Sequence, residues 1–265
     1  MKSPPHTQPR SWPLLPWLTV ALGGVAAPGI ALLVLADKIA PAPLASVAGP
    51  IVAVGLMGAG MIAAAAAGRL WLGVLIALLT GAGLILFAIA LGVPALPYPL
   101  STAFAVIIAA LSFAARGALF ARSAADKGWW VAVAVVAGEA AVLFTASTMP
   151  DALPDWLLAL LPAQWASAAI QTSLTGSGTL AASSELFALA GTAAATLLVA
   201  RLWPRRWPYL IMCSVWLGLS ALVWHWPAAA MPHAGNVNAA TQAITLAPWA
   251  GSSRHRSLWT PAWPG

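Results

Sequence analysis

Charged residues are scarce in this chain. Asp, Glu, Lys and Arg make up only 7% of its 265 residues, whereas 61% are hydrophobic; a soluble domain carries about 25% charged residues. This scarcity excludes an ordinary soluble domain, and the high apolar content excludes disorder for most of the chain. The apolar residues occur in runs of about 20, the length that crosses a hydrocarbon core of about 30 Å as a helix. The sequence therefore predicts an all-α integral membrane protein.

Cysteine is almost absent, since Cys213 is the only one. A single thiol excludes an internal disulfide and the paired cysteines of zinc or iron–sulfur sites. Only one histidine, His225, lies near a predicted span, which excludes haem held between helices by two histidines. No hydrolase, kinase, zinc-protease or phosphate-loop pattern occurs. We therefore predict no catalytic residue and no metal site, and the sequence identifies no cofactor.

The net charge of +6 would indicate a nucleic-acid partner in a soluble protein. Here the basic residues sit at the ends of apolar runs, where they determine orientation in the membrane. We therefore predict no nucleic-acid binding and take the lipid bilayer as the main partner.

Seven apolar runs are long enough to cross a membrane. The first is about 23 residues long, which is too long for the apolar part of a signal peptide, so we interpret it as a retained span. Prolines and charged residues separate the runs, because proline cannot donate the helical hydrogen bond. The predicted spans are Leu14–Ala36, Leu44–Ala67, Leu70–Val93, Leu100–Ala121, Trp129–Met149, Thr179–Leu202 and Trp207–Trp226.

The distribution of Lys and Arg predicts the orientation, because cytoplasmic ends are enriched in both. With the N-terminus inside, nine basic residues lie on the cytoplasmic side and three outside. The inner set is Lys2, Arg10, Arg69, Arg116, Arg122, Lys127, Arg201, Arg205 and Arg206; the outer set is Lys38, Arg254 and Arg256. We therefore predict that the N-terminus is inside and the C-terminus outside.

The segment between the fifth and sixth spans, near 155–174, is only partly apolar. If it crossed the membrane, the basic residues would divide eight against four, a worse fit to the same rule. Gln164, Ser167 and Gln171 share one helix face, and Asp155 is a suitable N-cap. We predict an amphipathic helix lying on the outer interface; a re-entrant hairpin is the alternative.

These features divide the chain into three parts. Residues 1–13 form a cytoplasmic N-terminal segment, and residues 14–228 form the helical bundle with its interfacial helix. Residues 229–265 are rich in Asn, Thr, Ser, Pro and Gly and lack a periodic apolar pattern, so we predict a flexible extracytoplasmic tail.

Charged residues inside spans are the best functional indication, because burying a charge in lipid is costly. Glu139, Glu185 and Arg116 all fall within predicted spans, and the long Arg116 side chain could reach Glu139 from the adjacent helix. Thr145, Ser147, Ser183 and Ser184 supply nearby hydroxyls. Two interpretations follow: a buried Arg116–Glu139 pair that fixes helix packing, and a polar, proton- or cation-binding site in the outer half of the bundle.

Gly55, Gly58 and Gly60 form a patch of small residues on the second span. Small residues let helices approach closely, so this patch predicts tight packing within the bundle or self-association between copies.

Two functions fit this pattern. The first is a small transporter or permease-like protein whose site uses Arg116, Glu139 and Glu185. The second is a non-catalytic membrane subunit or assembly factor of a larger complex. Candidate acids, bases and nucleophiles are too few to favour an intramembrane enzyme. The arrangement of loops and spans is typical of small bacterial proteins of the inner membrane, which is the predicted location.

Overall fold

The computed structural model describes residues 14–38, 41–94, 96–149, 152–175, 182–202 and 207–225, and within these ranges all regular structure is helical. The helices are α1 (Leu14–Val20), α2 (Ala27–Lys38), α3 (Pro41–Ala67), α4 (Leu70–Ala90), α5 (Pro99–Ser123), α6 (Gly128–Thr148), α7 (Asp155–Ala159), α8 (Pro162–Leu174), α9 (Ser183–Leu202) and α10 (Trp207–His225). The predicted segments 1–13 and 229–265 lie outside the described residues.

Among the described residues, six helical stretches are long and apolar enough to cross a membrane: Leu14–Asp37, Val47–Ala67, Leu70–Ala90, Pro99–Ser123, Ala125–Thr148 and Ser183–Leu202. They match the first six predicted spans in order. In α10, the described apolar part, Met212–His225, is shorter, so a seventh crossing stays a prediction.

The first span is one continuous helical run with a π-helical turn, Ala21–Ala26, between α1 and α2. Pro28 follows this turn and cannot donate a hydrogen bond to the carbonyl of Gly24. The widened turn sits where Gly23 and Gly24 approach α3. A single π turn inside an α-helix is a common way to absorb such an interruption.

Helix α3 is the centre of the bundle and adjoins the first span, α4, α5, α6 and α8. Of its most apolar stretch, 78% is buried, against 17% for α6, which lies at the periphery. The position of α3 follows from its sequence, which is dominated by Ala and Gly and therefore permits close approach on several sides. Gly68, with φ of +65°, makes the short turn into α4 that a residue with a Cβ would resist.

The predicted glycine patch is buried within the bundle. A Cβ on Gly58 would lie 2.7 Å from the carbonyl oxygen of Gly23, and a Cβ on Gly60 would lie 2.9 Å from the Cβ of Ala77 in α4. Gly55 faces Leu84 of α4 and Gly24 of the first span. The small size of all three glycines thus serves contacts within one chain.

Helix α8 is enclosed by its neighbours, which contradicts the predicted placement on the outer interface. Eleven of its 13 residues are buried, and α3, α5, α6 and α9 pack around it. An interfacial helix would keep one polar face in water, but Ser167 and Gln171 of the predicted polar face are buried. The polar face instead makes contacts inside the bundle.

Two hydrogen bonds position α8. At its start, the Trp165 indole, which is fully buried, donates to the Ala159 carbonyl oxygen over 2.9 Å and secures the turn between α7 and α8. Near its end, the Gly49 amide of α3 donates to Gln171 Oε1 over 2.8 Å. The absence of a side chain at Gly49 permits this contact, since a Cβ there would meet Gln171.

Candidate functional site

Arg116 of α5 and Glu139 of α6 face each other inside the bundle. Arg116 Nη1 lies 3.8 Å from Glu139 Oε1, and the two side chains are 13% and 15% exposed. The sequence predicts this contact between adjacent helices, and the structure contains it. Two charges of opposite sign at this spacing stabilise each other in a medium of low dielectric constant.

Each member of the pair has a second partner. Arg116 Nη2 donates to Ser112 Oγ over 3.2 Å, one turn earlier on α5. Glu139 Oε2 accepts from the Ala163 amide over 3.0 Å. Ala163 is in the first turn of α8, where backbone amides lack partners within the helix and favour negative charge. Glu139 therefore joins three helices, α5, α6 and α8.

A cavity of about 380 Å³ opens beside the pair. Helices α5, α6, α8, α9 and α10 surround it. Its wall combines the two charges with hydroxyl, sulfur and apolar side chains: Arg116, Leu119, Phe120, Glu139, Pro162, Thr192, Thr196, Met212, Cys213 and Trp216. The volume is at the lower end of the range for small-molecule sites.

Hydroxyl groups from α5 and α9 lie behind the charges. Ser112 Oγ is 3.4 Å from Thr192 Oγ1, and Thr196 Oγ1 donates to the Thr192 carbonyl oxygen over 2.7 Å. Sequence reasoning did not identify these residues as part of a site. The sequence does contain an indication of them. Ser112 is four residues before Arg116, and Thr192 is four residues before Thr196, so each pair shares a helix face.

Glu185 lies apart from this cavity. It is buried in the first turn of α9 and accepts a hydrogen bond from Ser184 over 2.8 Å. Thr192 is seven positions after Glu185, which corresponds to about 10 Å along the helix. The structure therefore brings together two of the three predicted charged residues.

The cavity wall includes Leu119 and Phe120, close to the connection between α5 and α6, as well as Glu139, which is midway along α6. The predicted placement in the outer half of the bundle stays a prediction. Thr145 and Ser147 instead donate to carbonyl oxygens of their own helix. The hydrogen bonds of these two hydroxyl groups are therefore made within α6.

In the described part of the chain, no three His, Cys, Asp or Glu side chains lie close enough together to hold a metal ion. The sulfur atoms of Met212 and Cys213 line the cavity, but two sulfur atoms next to an arginine do not form a cation site.

Comparison with protein-family models, with curated proteins and with solved structures finds no match in any of the three.

Proposed function

We propose that this protein is a small permease-like transporter and that the cavity containing Arg116 and Glu139 is its substrate site. The observation that carries the proposal is the exposure of the charge pair, 13% and 15%, to an intramembrane cavity. A pair that only held helices together would need no cavity. Charged groups within membrane spans characteristically line substrate and ion pathways.

The short α7–α8 segment supports the same function. Helix α8 is 13 residues long, about 20 Å, and begins beside Glu139, which is midway along α6. Helices that end inside the bundle next to a charged group are typical of transporter binding sites. In this proposal α7–α8 enters and leaves the membrane on one side.

The topology that goes with this function has seven crossings, with the N-terminus inside, the C-terminus outside and the protein in the inner membrane. Single cysteines at Ala152 and Thr175, each placed in a Cys213→Ser background, test it through labelling by an impermeant maleimide in intact cells. Both positions are exposed, and both should react from outside if α7–α8 re-enters. Reaction at only one of them would mean that the segment crosses the membrane.

Flux through reconstituted protein tests the function directly. The full-length protein would be purified in mild detergent, placed in liposomes containing a pH-sensitive dye and exposed to a proton gradient. We expect Glu139→Gln to lose most flux per folded molecule, because the carboxylate charge is removed, and its yield should fall as well, since Arg116 loses its counter-charge. Glu185→Gln is the matched control, since it neutralises the other buried glutamate, which lies away from the cavity.

Two results would contradict the proposal. Full flux in an abundant Glu139→Gln protein would mean that the carboxylate has a structural role. Stoichiometric partner proteins in the purified sample, together with no flux, would indicate instead a non-catalytic subunit of a larger complex.

A further inference from the structure

Three polar atoms of the charge pair have no hydrogen bond within the described residues: Arg116 Nε, Arg116 Nη1 and Glu139 Oε1. Arg116 Nη2 and Glu139 Oε2 are bonded to Ser112 and Ala163. Of the three atoms, Arg116 Nη1 and Glu139 Oε1 face each other at 3.8 Å, which is beyond hydrogen-bond distance. Both residues line the cavity, so a guanidinium and a carboxylate, of opposite charge, lie side by side in its wall.

We propose that the cavity binds a zwitterion whose two charged groups are close together and whose remainder is apolar. The anionic group would bind Arg116 Nη1 and the ammonium group would bind Glu139 Oε1. This inference deepens the proposed function and rests on it. Two kinds of molecule have an ammonium group and an anionic group close together with an apolar remainder: a free α-amino acid with an apolar side chain, and a zwitterionic phospholipid, through its headgroup region.

Charge balance favours a zwitterion over a simple ion. An anion bound to Arg116 would compete with Glu139 and leave that carboxylate without its counter-charge. A cation bound to Glu139 would do the same to Arg116. An unpaired charge in a nonpolar interior is strongly unfavourable. A zwitterion adds no net charge and gives each protein group a partner of opposite sign.

The spacing fits without separating the pair. The ammonium and carboxylate groups of an α-amino acid are attached to one carbon, so both can lie alongside Nη1 and Oε1, which are 3.8 Å apart. The four charges then alternate in sign around a small quadrilateral. Beside them, Leu119, Phe120, Met212 and Trp216 supply apolar walls for the rest of the molecule.

Equilibrium binding of tritiated L-leucine to the full-length protein in phosphatidylglycerol nanodiscs tests the proposal. N-acetyl-L-leucine lacks the ammonium group, L-leucine amide lacks the carboxylate, and glycine lacks the apolar side chain. We expect L-leucine to bind and each analogue to compete about tenfold or more weakly, the order expected for loss of one charge-assisted hydrogen bond or of apolar contact. The series uses wild-type protein, so it does not depend on a variant folding.

Variants then assign the binding to the pair. Arg116→Gln and Glu139→Gln should each weaken binding to a similar extent, whereas Glu185→Gln should bind like the wild type. Maleimide labelling of Cys213, the only thiol in the chain and a wall residue, should slow when the site is filled.

The two kinds of molecule are distinguished by adding phosphatidylethanolamine to the nanodiscs. Protection of Cys213 by this lipid without amino acid, together with weaker leucine binding, would identify the headgroup as the occupant. Equal binding of N-acetyl-L-leucine or L-leucine amide would overturn the proposal in favour of an anion or cation site. Uptake of tritiated L-leucine into the liposomes completes the test. Proton flux without binding of, or Cys213 protection by, either zwitterion would overturn the zwitterion site and leave the transporter. L-leucine binding with neither proton flux nor L-leucine uptake would leave the site and remove the transporter.

Discussion

The two sides of the bundle are built in different ways. Around α3, the first span, α4 and α5 approach so closely that glycine backbones touch neighbouring helices, as at Gly58 and Gly117. Around the cavity, α5, α6, α8, α9 and α10 leave about 380 Å³ of space beside two charges. Close packing makes the first side rigid, whereas the second side keeps polar groups accessible. We call the first the scaffold side and the second the cavity side; in the proposed function, the cavity side holds the substrate site.

Breaking the charge pair should have the largest effect on stability. Arg116→Leu leaves Glu139 without its counter-charge, and removing one partner of a buried pair costs about 3–5 kcal/mol. The double variant Arg116→Leu/Glu139→Gln should recover most of this loss, because the neutral amide oxygen can still accept from Ala163. Both the loss in Arg116→Leu and the recovery in the double variant are measured by heating detergent-purified protein and monitoring unfolding by size-exclusion chromatography.

The double variant also separates stability from function, since it should be stable but unable to transport or bind. Glu185→Gln in place of Glu139→Gln is the control and should not rescue Arg116→Leu. An Arg116→Leu protein as stable as the wild type would show that the pair contributes little to the fold.

Adding a methyl group at a tight helix contact on the scaffold side should have the next largest effect on stability. In Gly58→Ala, the new Cβ would lie 2.7 Å from the Gly23 carbonyl oxygen, a backbone atom that cannot move aside cheaply. Overpacking of this kind costs about 1–3 kcal/mol. Gly83→Ala on α4 is the matched control, because no atom lies within 4 Å of its new Cβ, and there the better helix propensity of Ala should raise stability by up to about 1 kcal/mol.

Unfolding midpoints that move in opposite directions for Gly58→Ala and Gly83→Ala would support the close packing of the first span on α3. Equal shifts would mean that the first span does not pack on α3 as closely as described.

Much of the scaffold side was predictable from the sequence, because long apolar runs fix where membrane helices begin and end. The first six predicted spans correspond to helices in the structure. The small residues of α3 likewise predicted close packing, and the contact between Arg116 and Glu139 followed from their places on adjacent helices.

The cavity side was less predictable, because α8 does not follow the usual rule that polar side chains are exposed to water. Gln164, Ser167 and Gln171 indicate a face in water, yet Ser167 and Gln171 are buried among other helices. A one-dimensional pattern does not show that a distant backbone amide, that of Gly49, will satisfy Gln171. The same holds for the cavity wall, which is assembled from five helices.

Loosening α8 from the scaffold should have the smallest effect on stability and a local effect on structure. Helix α8 connects the two sides, since Ala163 near its start bonds Glu139 and Gln171 near its end bonds Gly49. Gln171→Met removes the second bond while keeping the length of the side chain, at a cost of about 0.5–1.5 kcal/mol. Gln164→Met, on the same helix but only half-buried, is the control. Hydrogen exchange should show faster exchange at 169–174 in Gln171→Met and no change there in Gln164→Met. Faster exchange along all of α8 would mean that the helix is held as one unit by its end at α3, and that the contact with Glu139 depends on the scaffold side.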